Sequence, residues 1–256
     1  MIMKRLFLII CLVASIATAH AWNNTLNEAV LLLARKHMSP TAIAEYNNIA
    51  ALHGSINHRW AKNKTARVAL DADLRSTTTN ESDIAVRIEQ AAELLRKRAE
   101  HSDAEVYTAL QTIVMLMPDL HNISLVTIEG VEHSHNDFKI FWVSGKVGSK
   151  RFEKRGTILW SKLWNNLYYE FHSGWTADYY AYDLNLHFKD EREAWMKGTV
   201  REWAKMMGER ALPMYKWAKP DYVMSGTQRL DLEEEHLTSL AQAGFRLAAL
   251  LNNVFK

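Results

Sequence analysis

Cysteine is nearly missing from this chain: the single one, Cys11, lies inside the first apolar run. Residues 22–256 therefore exclude disulfides, thiolate metal sites and a thiol nucleophile. Proline and glycine are also scarce, at 4 and 10 residues, and no stretch of them reads as an interdomain linker. No apolar run reaches the roughly 20 residues that span a bilayer, and Leu6–Ala17 falls well short. An excess of one charge is absent too, with 31 Lys and Arg against 29 Asp and Glu. Broad electrostatic capture of nucleic acid is accordingly not expected. No G-x-S-x-G elbow, phosphate-cradling glycine loop or H-E-x-x-H pair occurs, and the serines and acids show no triad spacing.

What is present begins with an export signal. Lys4 and Arg5 precede the apolar run, and Ala19 and Ala21 give the small-x-small pattern of a cleavage site. Residues 1–21 read as the leader and 22–256 as one exported domain, periplasmic or secreted, that begins at Trp22. Asn23, Asn63, Asn80 and Asn122 open N-x-S/T sequons.

The dominant periodicity is helical. It predicts helices over 27–37, from Pro40 with Ile43, Tyr46, Ile49 and Ala50 inward, over 83–100, and from a cap at Asp103 through Val106, Leu110, Val114 and Met117. The last helix is placed behind a capping pair, Asp231 and Glu234, with a stripe of Leu237, Leu240, Ala241, Gly244, Leu247, Ala248 and Leu251. Gly244 implies close backbone packing, since glycine there costs about 1 kcal/mol relative to alanine. Alternation in "FKIFWVSGK" predicts a β-hairpin over 138–158. The fold class is mainly α, a single-domain helical bundle with a small hairpin.

Several blocks then carry a resemblance. "LAQAGFRLAALLNNVF" (240–255) is similar to a closing A-G-x-R-L-A-x-L-L-N helix. "LARKHMSP" (33–40), "REWAKMMGERALPMY" (201–215), "HNDFKI" (135–140) and "ALQTIVMLMPDLHNISL" (109–125) follow the same pattern in the same order. Together they resemble the zinc-dependent S1/P1 nuclease family, which has the phospholipase C/P1 nuclease type of fold. The resemblance implies cleavage of single-stranded nucleic acid and 3′-nucleotides by three zinc ions held by His, Asp and the amine and carbonyl of a terminal Trp.

Carried over residue by residue, that pattern is depleted. Trp22 stands for the terminal Trp, Asp71 or Asp73 for one aspartate, and Asp119 for the metal-bridging one. His121 matches a middle histidine that is not a ligand in the family. Asn27, Met115, Leu125 and Ser161 replace histidines, and Asn165 replaces an aspartate. Amides and thioethers bind zinc far more weakly than imidazole or carboxylate. The expectation is an S1/P1-nuclease-like protein with impaired or lost catalysis, an incomplete zinc complement, and binding of a ligand or partner in the cleft.

Two alternatives are carried beside it. One is an active phosphoesterase with a reduced or rebuilt metal site, for which His121, His133 and His135 are the candidate imidazoles. His133 and His135 also fit a plain exposed loop. The other is an interaction protein using the aromatic segment 167–188, with Tyr168, Tyr169, Trp175, Tyr179, Tyr180 and Tyr182, whose rings suit stacking on bases or sugars or simple helix cover. The basic run 146–155 reads as the solvated face of the hairpin.

Overall fold

In the computed structural model, residues 22–54, 56, 66–76, 83–135, 137–144 and 154–256 are described. The leader with Lys4, Arg5 and Cys11, the sequons at Asn63 and Asn80, and 146–153 of the basic run lie outside them. The chain is mainly helical. Its elements are α1 (Asn24–His37), α2 (Pro40–Ala51), β1 (Val68–Leu70), α3 (Ile84–Arg96), α4 (Asp103–Leu120), β2 (Val126–Ile128), β3 (Lys139–Ser144), β4 (Lys154–Leu159), α5 (Trp160–Phe171), α6 (Ala177–His187), α7 (Arg192–Trp195), α8 (Val200–Tyr215), β5 (Val223–Met224) and α9 (Gly226–Val254). Among the described residues no helix is long and apolar enough to cross a membrane.

Local chemistry sets the helix starts. Asn23 accepts from Leu26 N, and Ser39 from Ala42 N ahead of Pro40 in the first turn. Ser102 with Glu105, Thr199 with Glu202 and Ser225 with Gln228 form reciprocal capping boxes. Several boundaries differ from expectation: α1 starts at Asn24 rather than 27, and α3 ends at Arg96, with a separate turn over Arg98–Glu100. Asp103 is the first residue of α4, and its cap is Ser102. The last helix starts at Gly226, so Asp231 and Glu234 lie within its first turns. Asp83 does more than cap α3. Nearly fully buried, it accepts from Ala85 N and Val86 N and also from Ala69 N of β1, which ties strand to helix.

The hairpin forms as the alternation requires. β3 and β4 are antiparallel, with Lys139 opposite Leu159 and Ser144 opposite Lys154, and Phe138 and Ile140 point inward. β5 adds a parallel third strand beside β3. A second, parallel pair, β1 with β2, joins Val68 to Val126 and Leu70 to Ile128. Tyr215 at the end of α8 holds the segment entering β2, its hydroxyl lying 3.0 Å from both Ile123 O and Val126 O.

α9 is the central rod, packed on α1 and α4, while α3 pairs with α4 and α6 covers α1. Its closest approach is at Gly244. A Cβ there would lie 2.6 Å from Leu33 Cδ2, 2.8 Å from Cγ and 3.0 Å from Cβ. The contact reaches the stem of Leu33, so the side chain cannot simply swing aside. Gly244→Ala is therefore expected to cost about 1–3 kcal/mol of overpacking, outweighing the roughly 1 kcal/mol gain in helix propensity. In a Leu33→Ala background the same change is expected to be neutral or stabilising. Urea midpoints of the four proteins measure the cycle, and a stabilising Gly244→Ala in the wild-type background contradicts the packing.

Candidate functional site

Trp22 sits fully buried just ahead of α1 and organises the site. Its indole Nε1 donates to Pro118 O at 2.9 Å, in the last turn of α4 beside Asp119. Its carbonyl accepts from Asn27 Nδ2 at 3.3 Å. The next residue, Asn23, donates its backbone N–H to Asn165 O on α5 at 3.2 Å, and Asn122 Nδ2 donates to Asn165 Oδ1 at 3.4 Å. Positions far apart in sequence (22, 27, the end of α4 and 165) thus meet at one place.

Most polar atoms at these positions are engaged with the protein itself, while Asn27 Oδ1 is buried without a partner among the described residues. The Trp22 carbonyl is hydrogen-bonded by Asn27. Ser161 donates its Oγ proton to Asp137 Oδ2 at 2.6 Å while its N–H donates to Asp137 Oδ1 at 3.0 Å, which caps the first turn of α5. Met115 is half-buried and Leu125 buried on the α4 side.

Asp119 remains the carboxylate of this region. It is partly buried, and loss of solvation pushes its carboxyl up to about 7, against the pull of Arg87 and Arg67. No ion pair of Asp119 occurs among the described residues. Asp71 and Asp73 are engaged elsewhere. Asp71 accepts from Asp73 N at 2.9 Å, Arg75 N at 2.8 Å and Arg75 Nε at 3.0 Å, and Asp73 pairs with Arg75 Nη2. The Arg75 backbone N–H, then its side chain, hold the Asp71 carboxyl below its usual range. Both carboxylates close a surface turn after β1, with Leu74 at φ 59°.

The three candidate histidines of a rebuilt site serve different surroundings. His121 is fully buried at the end of α4. Burial, with Arg246 next to it, lowers its pKa well below the ordinary value, so the ring is neutral. Arg246 Nη1 donates to His121 Nε2 at 2.9 Å, which fixes the proton on Nδ1, donated to Met117 O at 2.8 Å. No lone pair is left for a metal. His133 lies edge-on to Phe138, with ring centroids 6.0 Å apart, and His135 is exposed. Among the described residues no group of three His, Cys, Asp or Glu side chains is placed to hold a metal ion. The residues at the family positions do not fit a three-zinc cluster. The Trp22 carbonyl, Asp119, an Asp71 or Asp73 held by Arg75, two amides, a hydroxyl, a thioether and an alkyl group lack the imidazoles such a cluster requires.

His236 on α9 is the residue that sequence reading missed. It is fully buried, stacked on Trp164 at 4.4 Å and met edge-on by Trp22 at 5.2 Å. Burial, with Arg210 nearby, lowers its pKa to about 3, and neither ring nitrogen has a hydrogen-bond partner among the described residues. Its signal was available: it lies four residues after Leu232 and four before Leu240, within the buried stripe. Arg246 was equally legible, as the Arg of the A-G-x-R-L-A motif. Its guanidinium donates to Trp195 O at 3.1 Å and His121, under Trp203, and burial lowers its pKa to about 9.

A cavity of about 520 Å³ lies elsewhere, between α3, α8 and α9. Its acids are matched, Glu89 by Arg201 and Glu93 by Arg96 and Lys97. Compared with protein-family models, the chain matches none. Compared with curated proteins, it has no significant match.

Proposed function

We propose that the chain is an exported S1/P1-nuclease-like protein whose zinc chemistry has been replaced by internal hydrogen bonding, leaving the residues around Trp22 and Asp119 a binding role. The reading rests on the sequence resemblance and on one observation above the rest. The Trp22 carbonyl, a zinc ligand in the resemblance, accepts a hydrogen bond from Asn27, which stands where a histidine ligand would be. Further support comes from Asn165 tied to Asn122 and Ser161 tied to Asp137. At Asn27, Asn165 and Ser161 a side chain hydrogen-bonded to the fold stands where the resemblance has a metal ligand, while Met115 and Leu125 offer no such ligand.

Binding is favoured over an inert core by atoms that retain hydrogen-bonding capacity. His236 Nδ1 and Nε2 and Trp164 Nε1 are buried without partners among the described residues. Buried polar groups left in that state are uncommon and call for water or a ligand.

The test is hydrolysis. The exported protein, starting at Trp22 by N-terminal sequencing, is incubated with single-stranded DNA, RNA and a 3′-nucleotide in added zinc. Product is expected to stay at the no-enzyme background for all three. Zinc-dependent turnover of any of them overturns the proposal.

A further inference from the structure

The aromatic segment leaves part of its rings uncovered, and their arrangement is specific. α6 buries Ala177, Tyr180, Ala181 and Leu184. On another face, Tyr179, Tyr182 and Leu186 are 51%, 55% and 54% exposed. Trp175, just before the helix, is partly buried against the core and adjoins that face through Tyr179. Its ring centroid lies 4.2 Å from His172, on which it stacks, and 4.5 Å from Tyr179. Tyr179 continues to Tyr182 at 6.3 Å, and Lys36 Nζ lies 5.8 Å from the Tyr182 ring. The result is a row of rings along one side of the molecule.

We infer that this row, Trp175–Tyr179–Tyr182, binds a single neutral oligosaccharide chain. Pyranose rings present faces of weakly positive C–H bonds, which sit favourably on the negative face of an aromatic ring. Successive rings are turned by 59° and 51°. A flat crystalline polysaccharide would touch only one of them, whereas a soluble chain whose sugar faces rotate along its length can cover all three.

Charge and size decide against the other occupants. α6 carries Asp178 and Asp183 and no Lys or Arg. A phosphate backbone laid along the rings would meet Asp178, and nucleic-acid affinity depends chiefly on Lys and Arg, which α6 does not carry. A second protein copy needs about 800 Å² a side for a stable interface. Two half-exposed tyrosines and a leucine offer on the order of 300 Å². The inference does not depend on the reading of the Trp22 site.

The test is calorimetric titration of the exported protein with cellohexaose, laminarihexaose, chitohexaose and, as the nucleic-acid arm, a twelve-residue oligo(dT). At least one hexasaccharide is expected to bind in the millimolar range or tighter. Tyr179→Ala/Tyr182→Ala is expected to weaken it at least tenfold, with unchanged circular dichroism. Tyr179→Phe/Tyr182→Phe, which keeps the faces, is expected to stay within about threefold. Should the double alanine variant misfold, Tyr182→Ala alone serves, with a loss of at least threefold expected. Any of three results overturns the inference: no heat with all three sugars at millimolar concentration, sugar binding unmoved by the alanines, or tighter binding of oligo(dT) than of every sugar.

Discussion

Trp22→Ala is expected to destabilise the protein by about 3–5 kcal/mol, the range for removing a fully buried large aromatic side chain. Trp22 has no exposed surface and lies against His236, while its indole N–H reaches Pro118 O. Alanine would leave a cavity between α1, the end of α4 and α9, and the surrounding rings of His236 and Trp164 cannot collapse into it without breaking their stack. At about 2–4 °C per kcal/mol for a domain of this size, the midpoint falls by roughly 10 °C. Trp22→Phe separates the parts, since it keeps most of the packing and loses one hydrogen bond, at about 1 kcal/mol plus a smaller packing loss. Thermal unfolding with and without EDTA is the measurement. The Trp22→Ala loss is expected to be the same in both, because the contribution is packing. A loss that vanishes in EDTA would assign Trp22 to a metal site.

Asp119→Asn is expected to stabilise the protein, in a pH-dependent way. An unfolded aspartate titrates near its ordinary value, whereas in the fold Asp119 holds its proton to about 7. Between those values the native state binds more protons than the unfolded state, so wild-type stability falls as pH rises through that window. The amide cannot ionise and removes the penalty. The difference between variant and wild type is expected near zero at pH 4, growing to a plateau of roughly 2–4 kcal/mol above pH 8. The lower figure allows for the residual solvent access of Asp119. Urea unfolding at pH 4, 6 and 8 checks it. A metal-bridging aspartate would behave in the opposite sense, since its replacement would lose the metal and with it stability at pH 8.

These expectations draw on parts of the molecule that differ in how far the sequence announced them. The hairpin and the helix stripes follow from local periodicity, and Gly244 from its cost within a helix. The parallel β1–β2 pair carried no such signal, being three residues long on each side and joined by a long crossover. The start of α9 was misplaced because Asp231 and Glu234 have the spacing of a cap, while Ser225 and Gln228, with the same spacing, are the ones that close on backbone N–H groups.

At the site, the meeting of Trp22, Asn27, Asn165 and the end of α4 carries no local signal, because these residues lie far apart in the sequence. Which donors were engaged was not legible, since hydrogen bonds such as Ser161 to Asp137 join residues 24 positions apart. Asp71 and Asp73 were equivalent in the sequence, and Arg75, two to four residues on, closes both. His236 lies on the stripe by its spacing, but that spacing does not show that its ring meets Trp22 edge-on.

The most direct measurement is the metal content of the exported protein after incubation with excess zinc and desalting, read by elemental analysis. If the donor positions are tied to one another, the expected result is well below one zinc per chain. Two or three zinc ions retained per chain would contradict the claim that this frame no longer grips its metals.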